Sequence, residues 1–337
     1  MCKNCVVTDV TEIQNLKSKI QNRPFGVGFL LDYVGMAGVL VVLVAFFGTT
    51  TEHFLSVSTF KNIANQIPDA MVVAVGMTFV MIIAGIDLSV GSVLAFSSAV
   101  LGVCLARYHV PLPLAVAACL ATGLACGALN GLLVITWRLP SFIVTLGMLE
   151  AARGGTYLLT RSQTQYVGDQ IEVVSEISLF GLSLPFLTAL VIVIAGQVAL
   201  SHTVFGRHAL ALGANPEAAR LSGVRTRLVT VGVFALCGLS SAVAGLIHCS
   251  RLGASDPNAG IGFELQSIAA VVIGGTSLMG GRGSVMKSFF GVLIIAVLGV
   301  GLFTLGAQES TKRLVTGCVI VGAVILDYYR HRLKART

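Results

Sequence analysis

The stretch MVVAVGMTFVMIIAGIDLSVGSVLAFSSAVLGVCLA, Met71–Ala106, is apolar apart from scattered hydroxyls and one acid, Asp87. An apolar run of about 20 residues crosses a bilayer as a helix, so this stretch has the length for two passes joined by a break. The break falls in AGIDLSVGS, Ala84–Ser92. Gly85 suits a left-handed stop for the first helix. Asp87 suits the start of the second, where its carboxylate accepts from free N–H groups near Ser89 and Val90. Capping, together with the positive end of the helix dipole, offsets part of the cost of about 3 kcal/mol for placing an acid at mid-membrane. Two roles stay open for Asp87: a cap that completes a tight turn, or direct handling of a substrate, proton or cation.

The rest of the chain fits the same solvent. Of 337 residues, 55% are hydrophobic and 11% charged, and the mean hydropathy is +0.89, outside the range of water-soluble globular domains. Apolar runs fall at about 33–51, 70–84, 88–106, 112–136, 142–159, 184–200, 228–249, 268–278, 285–305 and 314–328. The expected fold is all-α: a polytopic transmembrane helical bundle of about ten spans with one or two broken or re-entrant helices. One membrane domain, 31–329, is expected between an N-terminal segment, 1–30, and a basic tail, 330–337. The run at 268–278 is short and is followed by GGTSLMGGRGS, which marks it as the re-entrant candidate.

Charge sets the orientation. Lys17, Lys19 and Arg23 precede the first run, which reads as an uncleaved signal anchor with the N-terminus inside. Arg207, Arg220, Arg225 and Arg227 crowd the loop at about 202–227, and Arg330, Arg332, Lys334 and Arg336 the tail. Ten alternate crossings return both clusters to the cytoplasmic side, as basic loops require. The net charge of +7 fits these loops and anionic lipid headgroups, and calls for no nucleic acid.

Several chemistries are excluded. There is no G-x-x-x-x-G-K-[ST] phosphate cradle, no H-E-x-x-H and no G-x-S-x-G. No catalytic residue, metal site or cofactor is expected. The eight cysteines lie mostly in apolar runs and read as reduced thiols; the pair Cys2 and Cys5 has no second ligand pair at metal-site spacing. Polar residues inside the spans mark a candidate path for a solute: Ser97, Ser98, Asn130 and Thr145, with Ser240, Ser241 and Arg153. Each also has a plainer role, hydroxyls and amides joining helices and Arg153 reaching the outer interface.

Two further motifs stand out. GIDLSVG, Gly85–Gly91, is echoed by GTSLMGG, Gly275–Gly281, placing Ser277 opposite Asp87 and suggesting paired broken helices that include Ser89 and Gly91. In the basic loop, Asn215 is a good N-cap, Pro216 fits the first helical position, Glu217 favours a helix start and Gly223 a left-handed stop. Between them, Ala218, Ala219 and Arg220 make a short helix shaped like a small knob.

The run TVFGRHALALGANPEAARLSGVRTRLV with its continuation to GGTSLMGGRGS, together with GIDLSVGS, NGLLV at Asn130 and LPSFIVTLGML at Leu139, resembles the sugar permeases of bacterial ABC importers of the ribose type. The resemblance runs from about Asn62 to Asp327. The chain departs from the family's usual wording where it has Gln266 after Glu264 and Leu265, and where it reads GVGL at Gly299–Leu302. The resemblance implies a permease of the bacterial inner membrane with both termini cytoplasmic. It implies a second permease subunit as partner, ATP-binding subunits that hold ATP and Mg, and an extracytoplasmic sugar-binding protein. The 215–223 helix would be the one that docks on the ATPase. From the residues alone, an ion-coupled carrier using Asp87 is the alternative.

Overall fold

In the computed structural model, residues 27–179 and 181–334 are described. The expectations for Cys2, Cys5, Lys17, Lys19, Arg23 and Arg336 lie outside them. The chain opens with α1 (Val27–Thr50), α2 (Val57–Gln66) and α3 (Pro68–Ile82). Then come α4 (Val90–Ala106), α5 (Leu112–Trp137), α6 (Ser141–Thr160) and the short α7 (Asp169–Glu176). Helix α8 (Leu184–His202) leads to α9 (Val204–Ala214) and the six-residue α10 (Pro216–Leu221). The long α11 (Thr226–Leu252), the short α12 (Phe263–Ile273), α13 (Val285–Thr304) and α14 (Glu309–Lys334) complete the chain. Four two-residue strands pair antiparallel: β1 (Gln165–Tyr166) with β4 (Ala254–Ser255), and β2 (Ser178–Leu179) with β3 (Leu182–Ser183). The fold is an all-α polytopic membrane bundle.

Helix α3 is its centre. Every residue of α3 except Ala70 is buried, as expected of a helix apolar on all faces, and it packs against α8, α11, α12 and α13. Its start is fixed by Pro68, which cannot donate to the preceding turn and bends the α2–α3 pair by 48°. Helix α11 lies along α5 so closely that a Cβ on Gly127 would come within 3.0 Å of the Gly238 Cα. Gly123, Gly127 and Gly131 on α5 form the stripe that permits this approach, the usual way helices associate where lipid gives no hydrophobic drive.

Among the described residues five helices are long and apolar enough to cross a membrane, and a sixth span results if α2 and α3 count as one. The remaining expected runs differ for physical reasons. Helix α4 has 17 residues and α12 has 11, because each begins after a non-helical entry, 83–89 and 253–262. Helix α6 carries Glu150 and Arg153 in its middle. Helix α14 runs on to Lys334, so the basic tail begins inside a helix.

Candidate functional site

The segment 83–89 is the first of two broken-helix corners. Helix α3 ends in a paired stop: the Ala84 N–H donates to the Met81 carbonyl at 2.9 Å and the Gly85 N–H to the Val80 carbonyl at 2.9 Å. The left-handed residue is Ala84, φ 59°, and not Gly85 as the sequence suggested. Gly85 is needed one position later, where a Cβ would sit 3.1 Å from the Val80 carbonyl oxygen. Asp87, 1% exposed, accepts through Oδ1 from the Ser89 N–H at 2.9 Å and the Ser89 hydroxyl at 2.6 Å. Helix α4 starts at Val90 directly behind this turn, with Ser89 as its N-cap residue and no side-chain capping bond, so Asp87 closes the turn before the helix and does not cap it as the sequence suggested.

Three other side chains hold the corner. Asn130 on α5 donates to Ser89 Oγ at 3.0 Å, while its Oδ1 is buried with no partner among the described residues. Ser141 Oγ accepts from the Ile86 N–H at 2.9 Å, and Thr145 Oγ1 from the Leu88 N–H at 3.1 Å. The structure thus gathers Asp87, Ser89, Asn130 and Thr145 into one cluster. The next residues of α4 are pinned by backbone contact, since a Cβ on Gly91 would overlap the Gly260 carbonyl oxygen.

The second corner follows α12. The Gly275 N–H donates to the Val272 carbonyl at 2.7 Å and the Thr276 N–H to the Val271 carbonyl at 3.2 Å, the same paired stop with a glycine, φ 79°, in the left-handed place. Ser277 Oγ accepts from the Met279 N–H at 3.2 Å, a turn of the kind Asp87 makes. Ser277 does not cap a helix, however: α13 starts at Val285, and its N-cap is Ser284, whose Oγ accepts from the Lys287 N–H at 3.4 Å. The loop between is longer because Gly280 and Gly281, φ 81° and 73°, turn it back toward α3.

That return joins the corners. The Gly281 N–H donates to the Ile82 carbonyl at 2.8 Å, satisfying an acceptor that the end of α3 leaves open. Gly213 of α9 lies against the same carbonyl, where a Cβ would overlap the oxygen, and a Cβ on Gly281 would stand 2.8 Å from the Ala214 Cα. Two corners and the end of α9 therefore meet at backbone distance.

Helix α10 extends from that junction. Asn215 Oδ1 accepts from the Glu217 N–H at 3.1 Å and the Ala218 N–H at 3.0 Å, with Pro216 at the first helical position. The helix stops at Gly223, φ 83°, with the Val224 N–H donating to the Ala219 carbonyl at 3.1 Å. Glu217 and Arg220 pair at 2.6 Å with side chains 65% and 63% exposed. The Arg220 guanidinium, by hydrogen bond and charge, holds the Glu217 carboxyl below the usual carboxylate range. Ala218 is exposed, but Ala219 is buried and packs inward, so the two alanines do not form one knob. Leu221, 76% exposed, forms the apolar tip.

The other expected path residues lie apart. Ser98 Oγ donates to Ser255 Oγ at 3.0 Å, and the buried Ser97 hydroxyl has no partner among the described residues. Ser241 donates to the Cys237 carbonyl of its own helix at 3.0 Å. Arg153 Nη1 donates to the Pro257 and Ala259 carbonyls at 2.9 and 2.8 Å, which the run of turns between α11 and α12 leaves without helical partners.

Residues 59–324 match the family described as the permease component of branched-chain amino acid transport systems. The chain belongs to that family. The permease is 39% identical over 294 residues to the ribose import permease protein RbsC of Escherichia coli strain K12, covering 86% of this chain and 91% of that one. To the fructose import permease protein FrcC of Rhizobium meliloti it is 33% identical over 340 residues, 97% and 91% of the two chains. To the D-allose transport system permease protein AlsC of E. coli it is 33% identical over 310 residues, 91% and 95%. No solved structure matches. The permease is thus a multi-pass translocation subunit and not an enzyme.

The Ile82–Gly213–Gly281 junction was not singled out from the sequence, and no local pattern announces it: three backbone segments far apart in the chain meet there. The Gly123, Gly127, Gly131 stripe was a readable signal that the sequence reading passed over.

Proposed function

We propose that this permease carries a small monosaccharide from an extracytoplasmic binding protein into the cytoplasm, driven by ATP hydrolysis on separate subunits that hold ATP and Mg. The supporting observation is identity of 33–39% to ribose, fructose and D-allose permeases over 86–97% of the chain. In this reading ten crossings place the α9–α10 arm and both termini in the cytoplasm. The permease works with a second copy or a sister subunit. Helix α10 docks on the ATPase through its capped, exposed turn and Leu221, and Gly213 passes that movement to the second corner where it meets the first. Asp87 serves as the acceptor that closes the turn into α4 and not as an ion-coupling group.

Two measurements test this. A single cysteine at Asn215, in a permease without the native thiols, is expected to resist a membrane-impermeant maleimide in intact cells and to react in opened ones. Labelling from outside would overturn the orientation. Gly223→Val strains the left-handed stop and Glu217→Lys puts the wrong charge at the helix start. Both are expected to insert normally yet recover far less ATPase subunit in a pull-down at equal membrane abundance. Equal recovery with unchanged stimulated ATP hydrolysis would remove α10 from the docking role, and ATP-driven uptake of leucine in place of sugar would overturn the substrate class.

A further inference from the structure

At the end of α3 away from the corners lies a cavity of about 650 Å³ between α2, α12 and α13, within the usual size of small-molecule sites, roughly 300–1,000 Å³. Its wall includes a charged cluster at the α2–α3 break. Asp69, 5% exposed, accepts through Oδ2 from Arg251 Nη2 at 3.2 Å and lies 3.2 Å from His248 Nδ1, while Oδ1 accepts from the Ala70 N–H at 2.9 Å. Arg251 Nη1 donates at 2.8 Å to the Gln66 carbonyl, which Pro68 and the bend leave without its helical partner.

The rest of the wall is chemically mixed. Asn62, Gln66 and Gln266 line it; all three are exposed, and their side-chain amides make no hydrogen bond within the protein among the described residues, so they are open to a solute. Phe263 contributes aromatic surface, while one face of the Phe303 ring is taken by the Lys312 ammonium, 4.8 Å from its centroid. Each amide offers two donors and an acceptor, the complement of a ring of hydroxyls. A phenyl face suits the C–H side of a sugar ring. The one acid is already paired with Arg251, and Lys312, a further cation on the wall, stands over the Phe303 ring, so an ion would have to compete with an existing contact, as would both ends of an amino acid; a neutral polyol need not. Gln266 and the Gly299–Val300 stretch, where the chain departs from the usual family wording, also line this cavity.

We infer that this cavity is the permease's own monosaccharide-binding station, with Asn62, Gln66 and Gln266 reading hydroxyl groups and the Asp69–Arg251–His248 cluster holding the broken helix that forms its wall. The inference rests on the sugar-importer reading above, and the test separates the two.

The complete importer, reconstituted in proteoliposomes, is offered D-ribose, D-xylose, D-fructose, D-allose and L-leucine. The wild type is expected to take up at least one sugar. In the double variant Asn62→Leu, Gln266→Leu, uptake of that sugar should fall at least tenfold, while stimulation of ATP hydrolysis by the loaded binding protein stays within twofold. In the second arm, Gln266→Cys is placed in a permease lacking other cysteines. The transported sugar should slow maleimide modification of that cysteine at least fivefold and leave a Leu221→Cys control unaffected. Unchanged uptake in the double variant overturns the inference. If uptake and ATP hydrolysis fall together, protection decides, and an unprotected Gln266→Cys overturns it. Sugar uptake by the wild type without protection defeats this site alone; uptake of leucine and of no sugar defeats the importer reading and the site with it.

Discussion

The two corners share a helix stop and differ in everything that follows it. After Ala84 the chain is clamped by side chains of its own segment, Asp87 and Ser89, and of two helices, Asn130 of α5 and Ser141 and Thr145 of α6. After Gly275 the chain is held mostly by its own backbone, with Gly280 and Gly281 in left-handed conformations and Met279 87% exposed. Buried polar contacts resist motion because breaking one orphans a group that water cannot reach. Glycine turns give way at little steric cost. In the proposed cycle, then, the first corner is the anchor and the second the moving part, and the Ile82–Gly281 hydrogen bond is where they engage.

The contrast is broken most severely at Asp87. Asp87→Leu strands the Ser89 N–H and hydroxyl, at roughly 1–3 kcal/mol for each buried group left unpaired, and the expected result is loss of assembled complex from the membrane. Asp87→Asn keeps an acceptor at the same place and is expected to retain most transport. Should Asn abolish transport in a normally assembled complex, the charge itself matters and the anchor account fails in favour of ion coupling.

Thr145→Val removes the acceptor for the Leu88 N–H and the donor to the Ile86 carbonyl. A loss of about 1–2 kcal/mol should appear as a thermal midpoint lower by a few degrees in detergent, with the ATPase still bound. Ser277→Ala is expected to change least. It deletes one long turn bond in the glycine-held corner, about 0.5 kcal/mol, and both midpoint and transport should stay close to wild type. A Ser277→Ala effect as large as that of Thr145→Val would erase the distinction between the corners.

What was legible in the sequence was local chemistry. Asn215, Pro216 and Gly223 specify a capped helix whatever surrounds them, and Asp87 specifies a turn into α4. The misreadings came from distance. Gly85 looked like the left-handed residue because nothing nearby shows that Ala84 bears it and that Gly85 is crowded by Val80 and Phe234. The partners of Arg153 were not legible because its acceptors, Pro257 and Ala259, lie over a hundred positions away. The cluster of Asp69, His248 and Arg251 went unread for the same reason: Asp69 lies about 180 positions from the other two, although His248 and Arg251, three apart on one helix, share a face.

The central claim is that α9 hands movement of the docking helix to the second corner through Gly213, at its junction with the first. Gly213→Ala places a methyl against the Ile82 carbonyl and forces the junction apart, while leaving Asn215–Gly223 untouched. The measurement is sugar imported per ATP hydrolysed by the reconstituted complex at equal permease abundance. The account predicts wild-type recovery of the ATPase subunit with at least a tenfold fall in that ratio; an unchanged ratio would contradict it.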